Sequence, residues 1–412
     1  MALWTHRDFR LLWAGDTVSQ FGSAIGRIVL PLLAVTVLAA TPWQMGVLSA
    51  AGTAAFLLIG LPAGVWVDRV RRKPVMVAAD LLRAGLMLSV PLAWWLGVLT
   101  LAQLVVVALL VGVCTVFFDI AYQSYLPSLI GRPHLVEGNS KLQASQSVAE
   151  VSGPALAGGI AQTIGAANGV LLTGLGYLGS ALFLWRIKSV EPEPRSGEGR
   201  NLRADIVEGL RFVFDNRSLR AIVSCTGTSN FFSGAEAAVV ILFLVRDLGL
   251  SEGVLGLLLS AGGVGGVLGA LTANWWNGRI GQTRLIWLAL LLTQPFGLLL
   301  PATSADAWRI GLAMLGLAVA AYGIIVYNVS QVSYRQTLCP DHLLGRMNAS
   351  VRFLVWGTVP LGGLVGGLLG GWIGVHTTLW IAMAGQVLAV LWVVLSPLRT
   401  SRDRTTTVSD HG

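Results

Sequence analysis

From Phe353 to Leu398 the chain runs for 46 residues without one Asp, Glu, Lys or Arg. Ala84–Phe118 and Val151–Trp185 hold no charge over 35 residues each, Pro42–Val67 and Gly253–Gly278 none over 26, Ile310–Tyr334 none over 25 and Leu285–Ala305 none over 21. A helix needs about 20 apolar residues to cross a bilayer, so these runs predict an all-α membrane protein. Turn residues at Gly97–Thr100, Gly165–Gly169 and Gly374–His376 divide the three longest runs into pairs. With the segments that charges interrupt, twelve spans are expected, at 10–38, 43–67, 75–96, 100–128, 138–164, 169–187, 218–245, 252–277, 283–302, 309–334, 345–372 and 377–396. Charged residues make up 12% of the chain, half the roughly 25% of soluble domains, which excludes a soluble or disordered protein. The 50 glycines show no three-residue period, which excludes collagen.

A net charge of +8 would suit nucleic acid, but the basic residues stand at the ends of apolar runs. If the even-numbered connections and both termini share one side, that side receives 23 of the 28 Lys and Arg residues and the other receives only Arg246 and Arg309. Arg27, Arg83 and Arg352 fall inside spans. Lys and Arg accumulate in cytoplasmic loops, so both termini are expected in the cytoplasm and the chain in the plasma (inner) membrane, with lipid and not nucleic acid as its surroundings. The expected organisation is a six-helix bundle over 1–189, a cytoplasmic linker over 190–217, a second six-helix bundle over 218–398 and a cytoplasmic tail over 399–412. The linker is rich in Pro, Glu, Gly and Arg, and Arg203–Phe214 within it predicts an amphipathic helix on the membrane surface.

A shift of 209 residues superposes Gly60 on Gly269, Trp66 on Trp275, Asp68 on Asn277, Tyr125 on Tyr334, Leu129 on Leu338, Leu135 on Leu344 and Asn139 on Asn348. The matches cluster at the ends of spans two and four and of spans eight and ten. A parallel six-plus-six repeat is one way to build alternating access. Span eleven carries two glycine rows, Gly362/Gly366/Gly370 and Gly363/Gly367/Gly371. Small residues at that spacing let helix backbones touch in lipid.

The loop Gly64-Val65-Trp66-Val67-Asp68-Arg69-Val70-Arg71-Arg72-Lys73 resembles the signature of the major facilitator superfamily, with Arg71 in place of a second glycine, as in the drug:proton antiporter branch that includes macrolide and siderophore exporters. Gly153-Pro154-Ala155-Leu156-Ala157-Gly158-Gly159 is similar to that branch's span-five motif with one residue added. The resemblance implies proton-coupled efflux of hydrophobic or amphipathic small molecules by alternating access, without cofactor. It also implies a cytoplasmic gate at Gly64, Asp68, Arg69 and Arg72, in which Asp68 meets the backbone near Arg346–Asn348. An importer of a small metabolite with the same fold is the alternative, and an intramembrane enzyme a more distant one. The expected partners are protons and a small amphipathic substrate, and the expected working unit is a monomer.

Ionisable groups at membrane depth are costly and usually functional. Asp119, Glu150 and Glu236 lack an opposite charge within four residues and, with Asp16, are the candidates for proton coupling, with Arg27 as a partner in space. Asp80 and Arg83, three apart, read as a structural ion pair. Arg352 is expected near the cytoplasmic loops. Phe117, Tyr122, Tyr125, Tyr322 and Tyr327 are the candidate cavity aromatics. Cys114, Cys225 and Cys339 show no paired spacing, the histidines no metal spacing, and the chain has neither a nucleotide-binding loop nor a His-Glu-x-x-His motif.

Overall fold

The computed structural model describes residues 2–131, 134–189, 191, 202–340 and 343–399. They are helical almost throughout: α1 Arg7–Thr36, α2 Pro42–Asp68, α3 Arg72–Trp95, α4 Leu101–Ile130, α5 Leu135–Ile164, α6 Ala166–Trp185, α7 Leu202–Asp215, α8 Arg217–Leu242, α9 Glu252–Ile280, α10 Gln282–Thr293, α11 Ala307–Leu338, α12 Leu344–Trp356, α13 Thr358–Trp372, α14 Val375–Ala389 and α15 Leu391–Val394. A π-turn, Phe243–Asp247, continues α8, and a 3-10 turn, Gln294–Leu299, continues α10. The expected tail beyond residue 399 and most of the linker lie outside the described residues.

Ten helical segments are long and apolar enough to cross a membrane. The two expected spans outside this set are α5 and α10. Over 30 residues α5 is long enough, but it carries Glu137, Lys141, Glu150 and a row of amides. α10 stops after 12 residues because Pro295, which brings no N–H, enters the next turn. The breaks inside the long runs fall where glycine supplies a left-handed residue: Gly165 has φ +87° and alone joins α5 to α6, and Gly374 has φ +90° before α14. α5 begins at Leu135 and α12 at Leu344, the same offset as the sequence repeat.

Within the first half, α1 packs on α5 and α6, α3 on α4 and α6, and α2 on α4; in the second, α8 packs on α13 and α14, and α11 on α9 and α10. Two broad seams join the halves, α5 against α9 and α2 against α13. Both are backbone contacts. A Cβ on Gly46 would stand 2.6 Å from the Gly363 carbonyl oxygen and 2.7 Å from Gly367 Cα; one on Gly158 would stand 2.9 Å from Gly256 Cα. The two glycine rows of α13 divide the work. Gly363 and Gly367 face α2, while Gly362 and Gly366 face Phe231 and Ala235 of α8.

Among the described residues, three hydrogen bonds cross between the halves. The Ala155 N–H donates to Ser260 Oγ at 2.8 Å, the Gly253 N–H to Gln162 Oε1 at 3.1 Å, and Arg246 Nη2 to the Val35 carbonyl at 3.2 Å. The closest of these contacts engage the starts of α2 and α9 and the ends of α1 and α5. They therefore seal the end of the molecule opposite the one that carries the start of α1 and α7. Toward that terminal end, Gly60 and Gly278 meet nothing within 4 Å.

α7 covers the expected amphipathic segment, but its apolar face packs on α12. Val213 is buried with Met347, Val351 and Val355, and Glu208 pairs with Arg346.

The seam predicts a contrast within one glycine row. Gly367→Leu drives a side chain into α2 at an overpacking cost of about 1–3 kcal/mol and is expected to cut transport strongly. Gly371→Leu meets nothing within 4 Å and is expected to transport as the unaltered protein does. Uptake assays at matched membrane abundance check this pair.

Candidate functional site

A cavity of about 700 Å³ opens among α1, α4 and α5 in the terminal half of the molecule. Asp16 and Gln20 line it from α1, Tyr122 and Gln123 from α4, and Asn139, Ser140, Leu142, Gln143 and Gln146 from α5. Asp16 is buried, and Gln20 Nε2 donates to its Oδ1 at 3.4 Å. Tyr122 stacks on Phe118 with ring centroids 6.1 Å apart. The cavity thus offers a carboxylate, an aromatic face and several amides, which suits a molecule with a polar, hydrogen-bonding end.

Behind the cavity lies a cluster of charge. Asp80 and Arg83 form the expected ion pair at 0% and 2% side-chain exposure. The Arg83 guanidinium is caged between the rings of Phe118 and Tyr177, 4.4 and 4.5 Å from their centroids. Asp119 lies within electrostatic reach of both Arg83 and Asp16. In the first half, three acids therefore share one buried arginine.

The other expected acids stand apart. Glu150 is exposed and accepts from Gln146 Nε2 at 3.2 Å. Glu236 accepts from Gln386 Nε2 at 2.8 Å, joining α8 to α14. Arg27 is exposed and makes no ion pair among the described residues; it stands about three turns along α1 from Asp16. Arg83 holds the position near the acids that was expected of it.

Of the five candidate cavity aromatics, only Tyr122 lines the cavity. Tyr327 OH bonds Thr226 Oγ1 at 2.7 Å in the core between α8 and α11. Tyr322 OH receives Trp276 Nε1 at 2.6 Å and bonds Thr272 Oγ1 at 2.9 Å, tying α11 to α9. Tyr125 is buried in the apolar cluster with Phe9 and Leu129, and Phe117 packs edge-on against Trp66.

In the loop motif, the surroundings of Gly64 and the side chain of Asp68 lie outside what the structure describes, and Arg69 is exposed as the residue that ends α2. Arg72 opens α3, whose start has no side-chain cap of its own. Glu191 supplies one: the Arg72 N–H donates to both of its oxygens at 2.8 Å, and the Lys73 N–H to Oε2 at 3.2 Å. A carboxylate there also meets the positive end of the helix dipole. Arg346, beside the expected partner of Asp68, is paired with Glu208 of α7.

In the span-five motif, Gly153 abuts Ala24 of α1, while Gly158 and the Pro154 carbonyl abut Gly256 of α9. Gly159 faces open space. The extra residue therefore leaves one glycine of the final pair in the seam.

The family model for transmembrane secretion effectors, a branch of the major facilitator superfamily, matches residues 1–411. The chain belongs to this family. It is 29% identical over 366 residues to the multidrug efflux pump Tap of Mycolicibacterium fortuitum, covering 86% of this chain and 87% of that protein. It is 22% identical over 407 residues to macrolide efflux protein A of Streptococcus pyogenes, covering 94% of each. Its fold matches the crystal structure of the nucleoside transporter NupG with a TM-score of 0.75 at 11% identity, over 96% of this chain and all of that one.

For this family member, the cavity residues that sequence reasoning missed are the amides. Asn139, Gln143 and Gln146 recur at helical spacing, the polar face of a span, but a search for uncharged apolar runs passes over them. The division between cavity and core predicts two phenotypes. Tyr122→Phe should weaken substrate binding and leave the melting temperature unchanged, because it keeps the stack on Phe118 and removes only the hydroxyl facing the cavity. Tyr327→Phe should lower the melting temperature, since interhelical hydrogen bonds in membranes contribute about 0.6–2 kcal/mol, and leave binding unchanged. Thermal shift and binding measurements on purified protein check both.

Proposed function

We propose that this protein is a proton-coupled exporter of amphipathic small molecules that works by alternating access, with twelve spans in two six-helix bundles and both termini in the cytoplasm. The observation that carries this reading is the cavity beside surplus acid: Asp16 lines it, and Asp119 stands within electrostatic reach of Asp16 on the helix that carries Tyr122. On this reading the sealed end faces outward and the cavity opens to the cytoplasm, where substrate enters. The names of the efflux relatives support the direction.

The acid excess is what a coupling site needs. Burying charge without a partner is costly, so a site with more carboxylates than cations takes up a proton when it closes and releases one when water returns. The membrane potential adds about 2.3 kcal/mol per charge per 100 mV. Asp16 and Asp119 are the first candidates, with Glu236 and the exposed Glu150 behind them, and Asp68 acts as a gate instead of a binding group. A second reading, import of a small metabolite, draws on the amide lining of the cavity. Everted vesicles separate the two by the direction of pH-driven accumulation.

Asp16→Asn and Asp119→Asn are expected to abolish accumulation driven by a pH gradient while keeping substrate exchange in liposomes. Full gradient-driven accumulation in both variants would remove these residues from the coupling role. For topology, cysteines introduced at Thr41 and Ser196 are expected to react with an impermeant label from opposite sides of the membrane. Reaction of both from one side would overturn the arrangement.

A further inference from the structure

Arg352 stands on α12, in the half that does not contain the cavity. Instead of joining the loops at the terminal end, its guanidinium lies over the ring of Phe56 on α2, 5.4 Å from the centroid. Phe56 also faces Trp356, with ring centroids 6.2 Å apart. Phe56, like Phe117 and Ile120, packs against the buried cluster of Ala55, Ala63 and Val116, so it lies beside the stretch of α4 that contains Asp119. Arg352 thus reaches from the second half onto the part of the first that carries Asp119. The Arg352 side chain is exposed and makes no ion pair among the described residues. Among the described residues its head meets the face of Phe56.

The other groups around Asp119 are fixed. From α3 comes Arg83, bound to Asp80 and caged by two rings. From α1 comes Asp16, which also carries the bond from Gln20. Tyr122 follows on the same helix. On α2, Phe56 and Ala55 pack beside α4, and on α5 Asn139, Gln143 and Gln146 line the cavity shared with Tyr122. Two cations therefore stand by the stretch of α4 that carries Asp119. One is locked inside the same half. The other belongs to the opposite half and lies on a ring that it can leave at a cost of about 0.5–2 kcal/mol.

We propose that Arg352 is the positioning residue for coupling: it is the counter-charge that the second half brings to Asp119, so that the ionised carboxylate holds the halves together at the terminal end and the protonated one lets them part. An ionised Asp119 attracts Arg352 across the gap, whereas a neutral one leaves the guanidinium on Phe56. The position of one half thereby follows the proton on the other. This rests on the reading of Asp119 as a proton-exchanging group.

The test is an infrared titration of the full-length protein in liposomes, which needs no substrate. Asp119→Asn identifies the carboxyl band of Asp119 by removing it. In Arg352→Gln the midpoint of that band is expected to move upward by about one pH unit, the lower end of what an opposite charge at close range contributes. The sign follows because loss of a cation favours the protonated acid. Arg352→Lys should stay near the original midpoint, and Arg352→Met, which keeps the apolar contact with Phe56, should move as Arg352→Gln does. A melting temperature for each variant guards against a general loss of fold. An unmoved midpoint in both neutral variants overturns the role of Arg352 and leaves the coupling role of Asp119 standing. If Asp119→Asn removes no titrating band, the coupling reading itself falls, and this inference falls with it.

Discussion

Two helices in hydrocarbon gain nothing by hiding apolar side chains, since lipid is as apolar as leucine. They hold together only where they touch closely or exchange hydrogen bonds. The contact between the halves of this protein meets that condition with glycine. Gly46 against Gly363 and Gly367, and Gly158 against Gly256, place backbone on backbone at distances that no side chain would allow. Such a surface lacks the knobs that would fix one register. It can separate without unlocking interdigitated side chains.

Within the first half the controlling constraint is charge. Asp16, Asp80 and Asp119 gather around a buried cation, Arg83, which two aromatic rings and Asp80 hold in place. A cluster that cannot neutralise itself must draw on protons, on a cationic guest or on a side chain from across the molecule. The cavity next to it, lined by amides and a tyrosine, shares Asp16 with the cluster. Binding and charge balance therefore meet at one residue.

Much of this was legible before the structure. Uncharged runs mark the spans because hydrocarbon excludes charge, and the linker helix at Leu202–Asp215 nearly coincides with the amphipathic segment expected at Arg203–Phe214. The two glycine rows of α13 could be read from spacing and face two different helices, α2 and α8. Other features depend on tertiary context. The run from Phe353 to Leu398 gives no sign of the break at Gly357, where the Thr358 hydroxyl and the Asn230 amide take up the Val355 carbonyl. Depth along a helix is not exposure around it, so Glu150 and Arg27, both inside spans, turn out exposed while Asp16 is buried. The tyrosines of α11 have the composition of a binding surface, yet their hydroxyls serve helix packing, and only the neighbours that receive them reveal it.

Arg246 was one of only two basic residues assigned to the sparsely charged side, and it is the donor that reaches the Val35 carbonyl at the end of α1. The seal therefore has two components with different responses to dissolved ions. The glycine contacts are dispersion forces and ignore dissolved ions. The bond from Arg246 sets a charge against a helix end near water, where screening acts over about 8 Å at physiological ionic strength. Added salt on that face would loosen the second component and leave the first untouched, so the strength of the contact between the halves carries an ionic-strength dependence that glycine packing alone would lack.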